Sequence, residues 1–234
     1  WGWVEIAPEG SGWERVYAAA GEQPNWQRRV IDLAQWRGQA NLRIRFHFDS
    51  DGGTTSDGWS IDDLRIREHT PQAMPYPFKD CFEQGLTNWL TAGWQAQSNT
   101  VYEGLLSADN QIFSSGWGIG YGAYPRMNLA GGIDLSGSTN PQLVYWINTS
   151  MNHWSAWYGL QVSKNGGVTW SDLDATGQWT SGGWVRRQVS LASYKTNDVR
   201  LRFITGSGQS YNPIIDVQVD NLSVEIGRAS CRER

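Results

Sequence analysis

The stretch LQVSKNGGVTW, Leu160–Trp170, holds Asn165-Gly166-Gly167 between two apolar-patterned runs, Leu160–Ser163 and Val168–Leu173. Glycine reaches positive φ without a steric cost, so an Asn-Gly-Gly step in this setting reads as the turn of a β-hairpin. An earlier stretch, VEIAPEGSGW at Val4–Trp13, has the same plan. Outward from both, the likeness continues. Trp26 or Trp184 comes next, then VIDL (30–33) or QVSL (188–191), then an aromatic at Trp36 or Tyr194. LRIRF (42–46) or VRLRF (199–203) follows, and SIDDLRI (60–66) or QVDNLSV (218–224) closes each copy. Trp13 to Asp62 is 49 positions and Trp170 to Asp220 is 50, with the one-residue differences at turns. Spacing held over that length is the mark of a duplicated unit.

Between its turns the chain alternates with period two. Leu42, Ile44, Phe46 and Phe48 interleave with Arg43, Arg45 and His47; Val199, Leu201 and Phe203 interleave with Arg200 and Arg202. One apolar face per strand predicts half-buried antiparallel strands. No window sustains a helical period. The predicted class is all-β, an antiparallel jelly-roll β-sandwich, with one complete module and the C-terminal half of another. The expected divisions are 1–68 for the half-module, 69–77 for a linker, 78–225 for the complete module and 226–234 for a tail. The linker HTPQAMPYP has three prolines and reads as short and stiff. The first module would need roughly 80 further residues before Trp1, by the length of the second. The tail IGRASCRER matches, codon by codon, a translated short-read sequencing adapter, and is expected to be adapter-derived.

Cys81-Phe82-Glu83 followed by Trp89, then Gly131-Gly132-Ile133-Asp134-Leu135-Ser136, then Val162–Trp170 and a closing strand, is similar to the MAM-like jelly-roll modules. Asp57-Gly58-Trp59-Ser60-Ile61-Asp62-Asp63-Leu64 resembles their closing motif most closely; at the second copy Asp216–Asn221 departs from it. Such modules recur in secreted bacterial proteins, including the C-terminal regions of immune inhibitor A-type metallopeptidases. The resemblance implies a two-sheet jelly roll with an adhesive or accessory role.

Composition narrows the function. Net charge is −4 and lysine is scarce, at 3 against 16 arginines, which excludes a partner held through nucleic-acid phosphates. No run approaches the roughly 18 apolar residues of a membrane-spanning helix. The three histidines, His47, His69 and His153, are too scattered for a zinc site, and no hydrolase or phosphate-binding motif is present. Asp49-Ser50-Asp51-Gly52 reads as a polar hairpin loop rather than a helix-loop-helix calcium site, since Ser60 stands where that site wants Glu. Asp57, Asp62 and Asp63 lack a second catalytic segment. Cys81 beside Phe82 reads as a lone buried thiol.

Trp13, Trp26, Trp36, Trp170 and Trp184 occupy matched positions in the two copies and are assigned to packing or sheet cover. Trp117, Tyr121, Trp154 and Trp157 lie in the Gly/Ser-rich runs 114–124 and 150–158 and are the candidate ligand-binding residues, because exposed rings can stack on sugars or anchor a protein. By strict alternation Asp220 shares the face of Leu222 and Val224, and Asp62 that of Leu64 and Ile66, which aims both carboxylates at the core. A buried carboxylate needs a partner: an arginine, backbone N–H groups or a cation. The MAM-like resemblance implies a second carboxylate from the opening strand, here Glu83. Glu83 and Asp220 are therefore candidate ligands for a structural calcium ion, which takes six to eight oxygens.

The expected function is a non-catalytic binding or adhesion module of a secreted or cell-surface multidomain protein. Two other readings stand beside it: the accessory C-terminal region of a secreted metallopeptidase, and a carbohydrate-binding module of a polysaccharide-degrading enzyme. The expected partner is an extracellular glycan or protein, with no nucleic acid and no membrane insertion, and the chain is expected to be monomeric.

Overall fold

The computed structural model describes residues 2–19, 25–50, 53, 58–110, 124–177, 179–207 and 215–225. Trp117, Tyr121 and the tail 226–234 lie outside the described residues. Strands and two short 3-10 turns make up the regular structure, and no described helix is long and apolar enough to cross a membrane.

From Phe78 the chain builds two facing antiparallel sheets. One has the order β11-β10-β13-β8-β5: Ser171–Gly177, Ala156–Ser163, Arg200–Ser207, Arg126–Leu129 and Trp89–Ala92. The other has the order β12-β9-β14-β7-β6: Thr180–Ser190, Gln142–Met151, Ile215–Glu225, Ser107–Asp109 and Gln95–Gln97. A short strand β4, Phe78–Asp80, adds to β14, with Phe78 opposite Val224. This is the antiparallel jelly-roll sandwich that the alternation predicts. Leu201, Phe203, Leu160 and Val162 point inward to meet Leu143, Tyr145, Ile147 and Val219, all buried. Phe203 sits at the centre, 5.4 Å from Tyr145, edge to face, and 6.2 Å from both Trp89 and Trp94. Each such ring or aliphatic chain contributes about 1.5–3 kcal/mol on burial.

The first unit is a three-stranded sheet, β2-β1-β3, formed by Glu14–Ala19, Gly2–Ala7 and Arg43–Phe48. Its order and pairing repeat those of β11-β10-β13. Both hairpins carry a bulge at the matched step, between Val4 and Glu5 and between Leu160 and Gln161. Both place an arginine of the third strand over the tryptophan that ends the turn. Both continue into a 3-10 turn after a leucine, Ala34–Trp36 and Ala192–Tyr194. The predicted turn residues Gly166 and Gly167 do adopt positive φ, 68° and 87°. The loop is longer than a two-residue hairpin and is closed by the Ser163 hydroxyl, which accepts from Gly167 N–H at 2.9 Å.

The first unit rests on the outer face of the five-stranded sheet. Val16 and Ile31 meet Leu90 and Ala92, and polar contacts ring them. Asn128 donates to Asp32 at 3.1 Å, Arg126 pairs with Glu14, and Arg126 and Arg202 both donate to Gln35 at 3.4 Å. The linker is not free-standing. Met74 N–H donates to Gly132 C=O at 2.9 Å, and a β-carbon on Gly131 would lie 1.7 Å from the Gln72 carbonyl oxygen. The glycine at 131 is thus required by the chain passing over it.

Three expectations need correction. Cys81 is disulfide-bonded, not a lone thiol; the only other cysteine in the sequence, Cys231, lies outside the described residues. Trp26, assigned to packing, stands in solvent. Asp220 does not share the face of Leu222, because Asn221 takes φ +48° and the β14–β9 register shifts between Asp220 and Ser223. Asp220 therefore pairs across with Trp146 on the outer face. The matched Asp63 takes φ +52°, and Asp62 is exposed rather than aimed at a core, whereas Asp220 is buried on its outer face.

Candidate functional site

The outer face of the six-stranded sheet is assembled by cross-strand registry. Directly opposite residues in antiparallel strands share a face. Arg186, Trp146 and Asp220 form one row across β12, β9 and β14; Trp184, Asn148 and Gln218 form the next; Ser150 and Asp216 begin a third. The row of amides is hydrogen-bonded end to end. Gly183 N–H donates to Asn148 Oδ1 at 2.6 Å, Asn148 Nδ2 donates to Gln218 Oε1 at 2.9 Å, and Gln218 Nε2 donates to Asp216. Burial raises the Asp216 carboxyl above its ordinary value, against the hydrogen bond from Gln218.

An aromatic group stands beside this row. Tyr102 lies flat on Trp146, with centroids 3.7 Å apart and planes within 15°, and Trp184 meets Tyr102 edge-on at 5.9 Å. Tyr102 is exposed while Trp146 and Trp184 are half-buried. An exposed amphipathic ring beside fixed amides and Arg186 is suited to a ligand with apolar faces and polar rims.

Glu83 and Asp220 hold the loop that carries Tyr102. Asp220 Oδ2 accepts the N–H groups of Tyr102 and Glu103 at 2.9 and 3.1 Å, and its Oδ1 accepts Asn221 N–H at 2.6 Å. Glu83 Oε1 accepts Leu105 and Leu106 N–H at 2.9 and 3.1 Å. A β-carbon on Gly104 would lie 2.3 Å from Glu83 Oε1, so only glycine lets the loop close on the carboxylate. Burial pushes the Asp220 carboxyl up to about 6, opposed by its three backbone donors and assisted by the Glu83 charge.

The two candidate calcium ligands are thus brought to one loop, from opposite ends of the sandwich sequence. In this conformation they do not offer a cation shell. The loop turns N–H donors on the carboxylates, whereas calcium requires oxygen acceptors. Among the described residues no group of three or more His, Cys, Asp or Glu is placed to hold a metal ion.

The other sequence candidates lie elsewhere. Trp154 is 61% exposed, with His153 at 5.5 Å. Trp157 belongs to strand β10, not a loop. It packs over the outer face of the five-stranded sheet, where β-carbons on Gly206 and Gly177 would lie 2.9 and 3.3 Å from it, and Tyr124 flanks it at 5.7 Å. Trp157 therefore lies on a different sheet from Tyr102 and its row. Sequence reasoning missed Tyr102 and Trp146. The available signal was the outer-face run Trp146, Asn148, Ser150, where an aromatic alternates with hydrogen-bonding side chains on a strand whose other face is Tyr145, Ile147 and Met151.

A buried polar group elsewhere ties the sheets together. Tyr145 and Tyr158 both donate to Asp174 Oδ2, at 2.6 and 3.3 Å, with Arg187 3.6 Å away. Burial raises both hydroxyls above the ordinary tyrosine value.

No family model matches the chain. Over 69 residues, 29% of the chain, it is 35% identical to Bacillopeptidase F of Bacillus subtilis (strain 168), and the match spans 5% of that protein's length. Among solved structures it is similar to the K1 cleaved adhesin domain of Lys-gingipain from Porphyromonas gingivalis W83, with 16% identity, a TM-score of 0.52, and coverage of 66% of this chain and 100% of that one. It is also similar to the CBM22-1 xylan-binding domain from Paenibacillus barcinonensis Xyn10C, with 15% identity, a TM-score of 0.43, and coverage of 69% and 100%. The likeness to the adhesin domain is one of fold: a β-sandwich matched over its whole length.

Proposed function

We propose that the chain is part of an extracellular, non-catalytic binding protein whose sandwich takes a glycan on the outer face of its six-stranded sheet. The observation that carries this reading is the exposed ring of Tyr102, fixed on Trp146 beside Trp184, with the Asn148–Gln218–Asp216 hydrogen-bonded series in the neighbouring row. A pyranose has an apolar face for the ring and equatorial hydroxyls for the amides. The amides are already paired in series, so they meet a ligand oriented rather than disordered, which lowers the entropic cost of binding. The adhesin domain to which the fold is similar supports a binding role. The partial match to a peptidase favours a second setting for it, as an accessory region of an extracellular peptidase.

The test is titration of the full chain with defined neutral oligosaccharides, including xylohexaose and galactotriose, read by tryptophan fluorescence and calorimetry. Saturable binding is expected. Tyr102→Ala and Trp184→Ala should abolish it with little change in melting temperature. Binding that survives both substitutions, or none across the panel, would overturn the reading.

A further inference from the structure

The outer face of the three-stranded sheet β2-β1-β3 gathers positive charge. Glu5 on β1 stands in one row with Arg45 on β3 and Arg15 on β2. Its buried carboxylate accepts from Arg45 Nε at 2.6 Å and from Arg15 Nε at 3.3 Å, and His47 Nδ1 lies 3.3 Å away. Arg43 shares the face two residues before Arg45, and both lie over Trp13, with guanidinium carbons 5.1 and 4.3 Å from the ring centroid. Arg15 lies over Trp3 at 4.5 Å. Arg43 also donates to the carbonyls of Pro8 and Ser11 at 3.3 and 3.5 Å, and it pairs with no carboxylate among the described residues. Three guanidinium groups on this face therefore share the one carboxylate of Glu5, although the whole chain is acidic.

The repeat supplies an internal comparison. The matched row of the sandwich is Arg202–Gln161–Asp172, where one cation and one anion are joined through an amide. That face is covered: the first unit sets the Glu14 carboxylate on Arg126 and Gln35 on Arg126 and Arg202. On the first unit the row has a surplus of positive charge and stands open. The Arg45 and His47 side chains are 43% and 41% exposed, and Arg43 is exposed.

We propose that this face binds an acidic polysaccharide, a chain of uronic acids whose carboxylates are taken by Arg43, Arg45 and Arg15. The site is independent of the Tyr102 face, which lies on the other module. Arg43 and Arg45 are spaced by about 6.7 Å along β3, and Arg15 lies two strand spacings, about 9.5 Å, from Arg45. Stacking on Trp13 and Trp3 and the bonds to Glu5, Pro8 and Ser11 hold the guanidinium groups in place, so their free N–H edges meet a carboxylate already oriented. The chemistry favours a polysaccharide over a protein. A protein interface has an apolar centre, and the apolar positions of this face, Trp3 and Ala7, are already buried. A polyuronate brings regularly repeated charge and needs no such centre.

The probe is a size-defined oligogalacturonate, titrated by calorimetry into the full chain at pH 7, with xylohexaose and a poly-glutamate peptide of equal charge beside it. Saturable binding of the oligogalacturonate is expected, weakening steeply as salt is raised, because exposed charge pairs are screened. Arg43→Gln should weaken it at least about tenfold, the loss of one charge-assisted contact, without moving the melting midpoint. Arg45→Lys, which keeps the charge but not the fork, should weaken it less than Arg45→Gln. Neither Arg43→Gln nor Arg45→Lys should alter any binding of xylohexaose, which separates this site from the Tyr102 face. No binding of oligogalacturonate, or binding that survives Arg43→Gln and Arg45→Gln together, would overturn the proposal. Poly-glutamate binding as tightly as the oligogalacturonate would overturn the choice of a polysaccharide.

Discussion

Arg202 lies over Trp170 with its guanidinium carbon 4.3 Å from the ring centroid, and Arg45 repeats that distance over Trp13. The two pairs share a geometry but not a setting. Arg202 is buried beneath the first unit and donates to Gln161 and Gln35, whereas the Arg45 side chain is 43% exposed and pairs with Glu5 at 2.6 Å.

Arg202→Ala should therefore cost about 2–3 kcal/mol, because it removes a desolvated cation–π contact and leaves the Gln161 carbonyl oxygen without its donor, while Gln35 keeps Arg126. Trp13→Ala, which takes the ring from under Arg45 but leaves that arginine on Glu5, should cost only about 1 kcal/mol. Urea denaturation midpoints check both; equal costs would show that the first unit does not shield Arg202.

Acid should act on the two units in opposite directions. Asp220 has its carboxyl raised by burial, so the folded state holds a proton that the unfolded state releases between about pH 4 and 6. The sandwich should lose up to about 3 kcal/mol as pH rises through that window. Burial would raise Glu5 too, but Arg45 and Arg15 outweigh it and hold its carboxyl below the ordinary value. Its contribution is present above about pH 4.5 and is lost as pH falls below that. Melts from pH 3 to 7 check the pair: Asp220→Asn should flatten the first slope and Glu5→Gln the second.

Calcium at millimolar concentration is expected to leave the melting midpoint at pH 7 unchanged, given the N–H donors that loop 102–106 turns on Glu83 and Asp220. A midpoint that climbs with calcium and falls back with chelator would show that the loop reverses its peptide units to present carbonyls.

Trp154→Ala should change stability by less than about 0.5 kcal/mol, as expected for an exposed ring. Trp157→Ala should cost about 3 kcal/mol, and Gly206→Ala should be comparably damaging, since its new carbon would lie 2.5 Å from Tyr124 and 2.9 Å from Trp157. Thermal melts of the three variants separate surface from packing at this end of the sandwich.

The sequence was most legible where the physics is local. Gly166-Gly167 and the alternation of Val199–Phe203 need only neighbouring residues to specify a turn and a strand, and both hairpins formed where expected. Asp220 was misplaced because a single left-handed residue, Asn221, breaks the alternation, and Asn takes positive φ too seldom for its identity to announce it. Tyr102 and Trp146 were invisible for a different reason. Their stacking depends on a loop closing through Asp220, far along the chain, and composition carries no record of such a meeting. Trp26 and Trp184 show the converse, since identical positions in a repeat differ in burial, exposed in one and half-buried in the other, according to what lies beside them.

The pairing of β4 with the end of β14 sets how the sandwich bears load. Phe78 lies opposite Val224, so the chain enters and leaves at the same end of one antiparallel pair. Tension applied through a tether on each side pulls these two strands apart lengthwise from their common end. Their hydrogen bonds then break one after another instead of together, as they would if the pull sheared the strands past each other. As a link in an anchored surface protein, the sandwich would open at its seam under modest force, and the Tyr102 loop, held by Glu83 next to one strand and Asp220 on the other, would release as the seam parts.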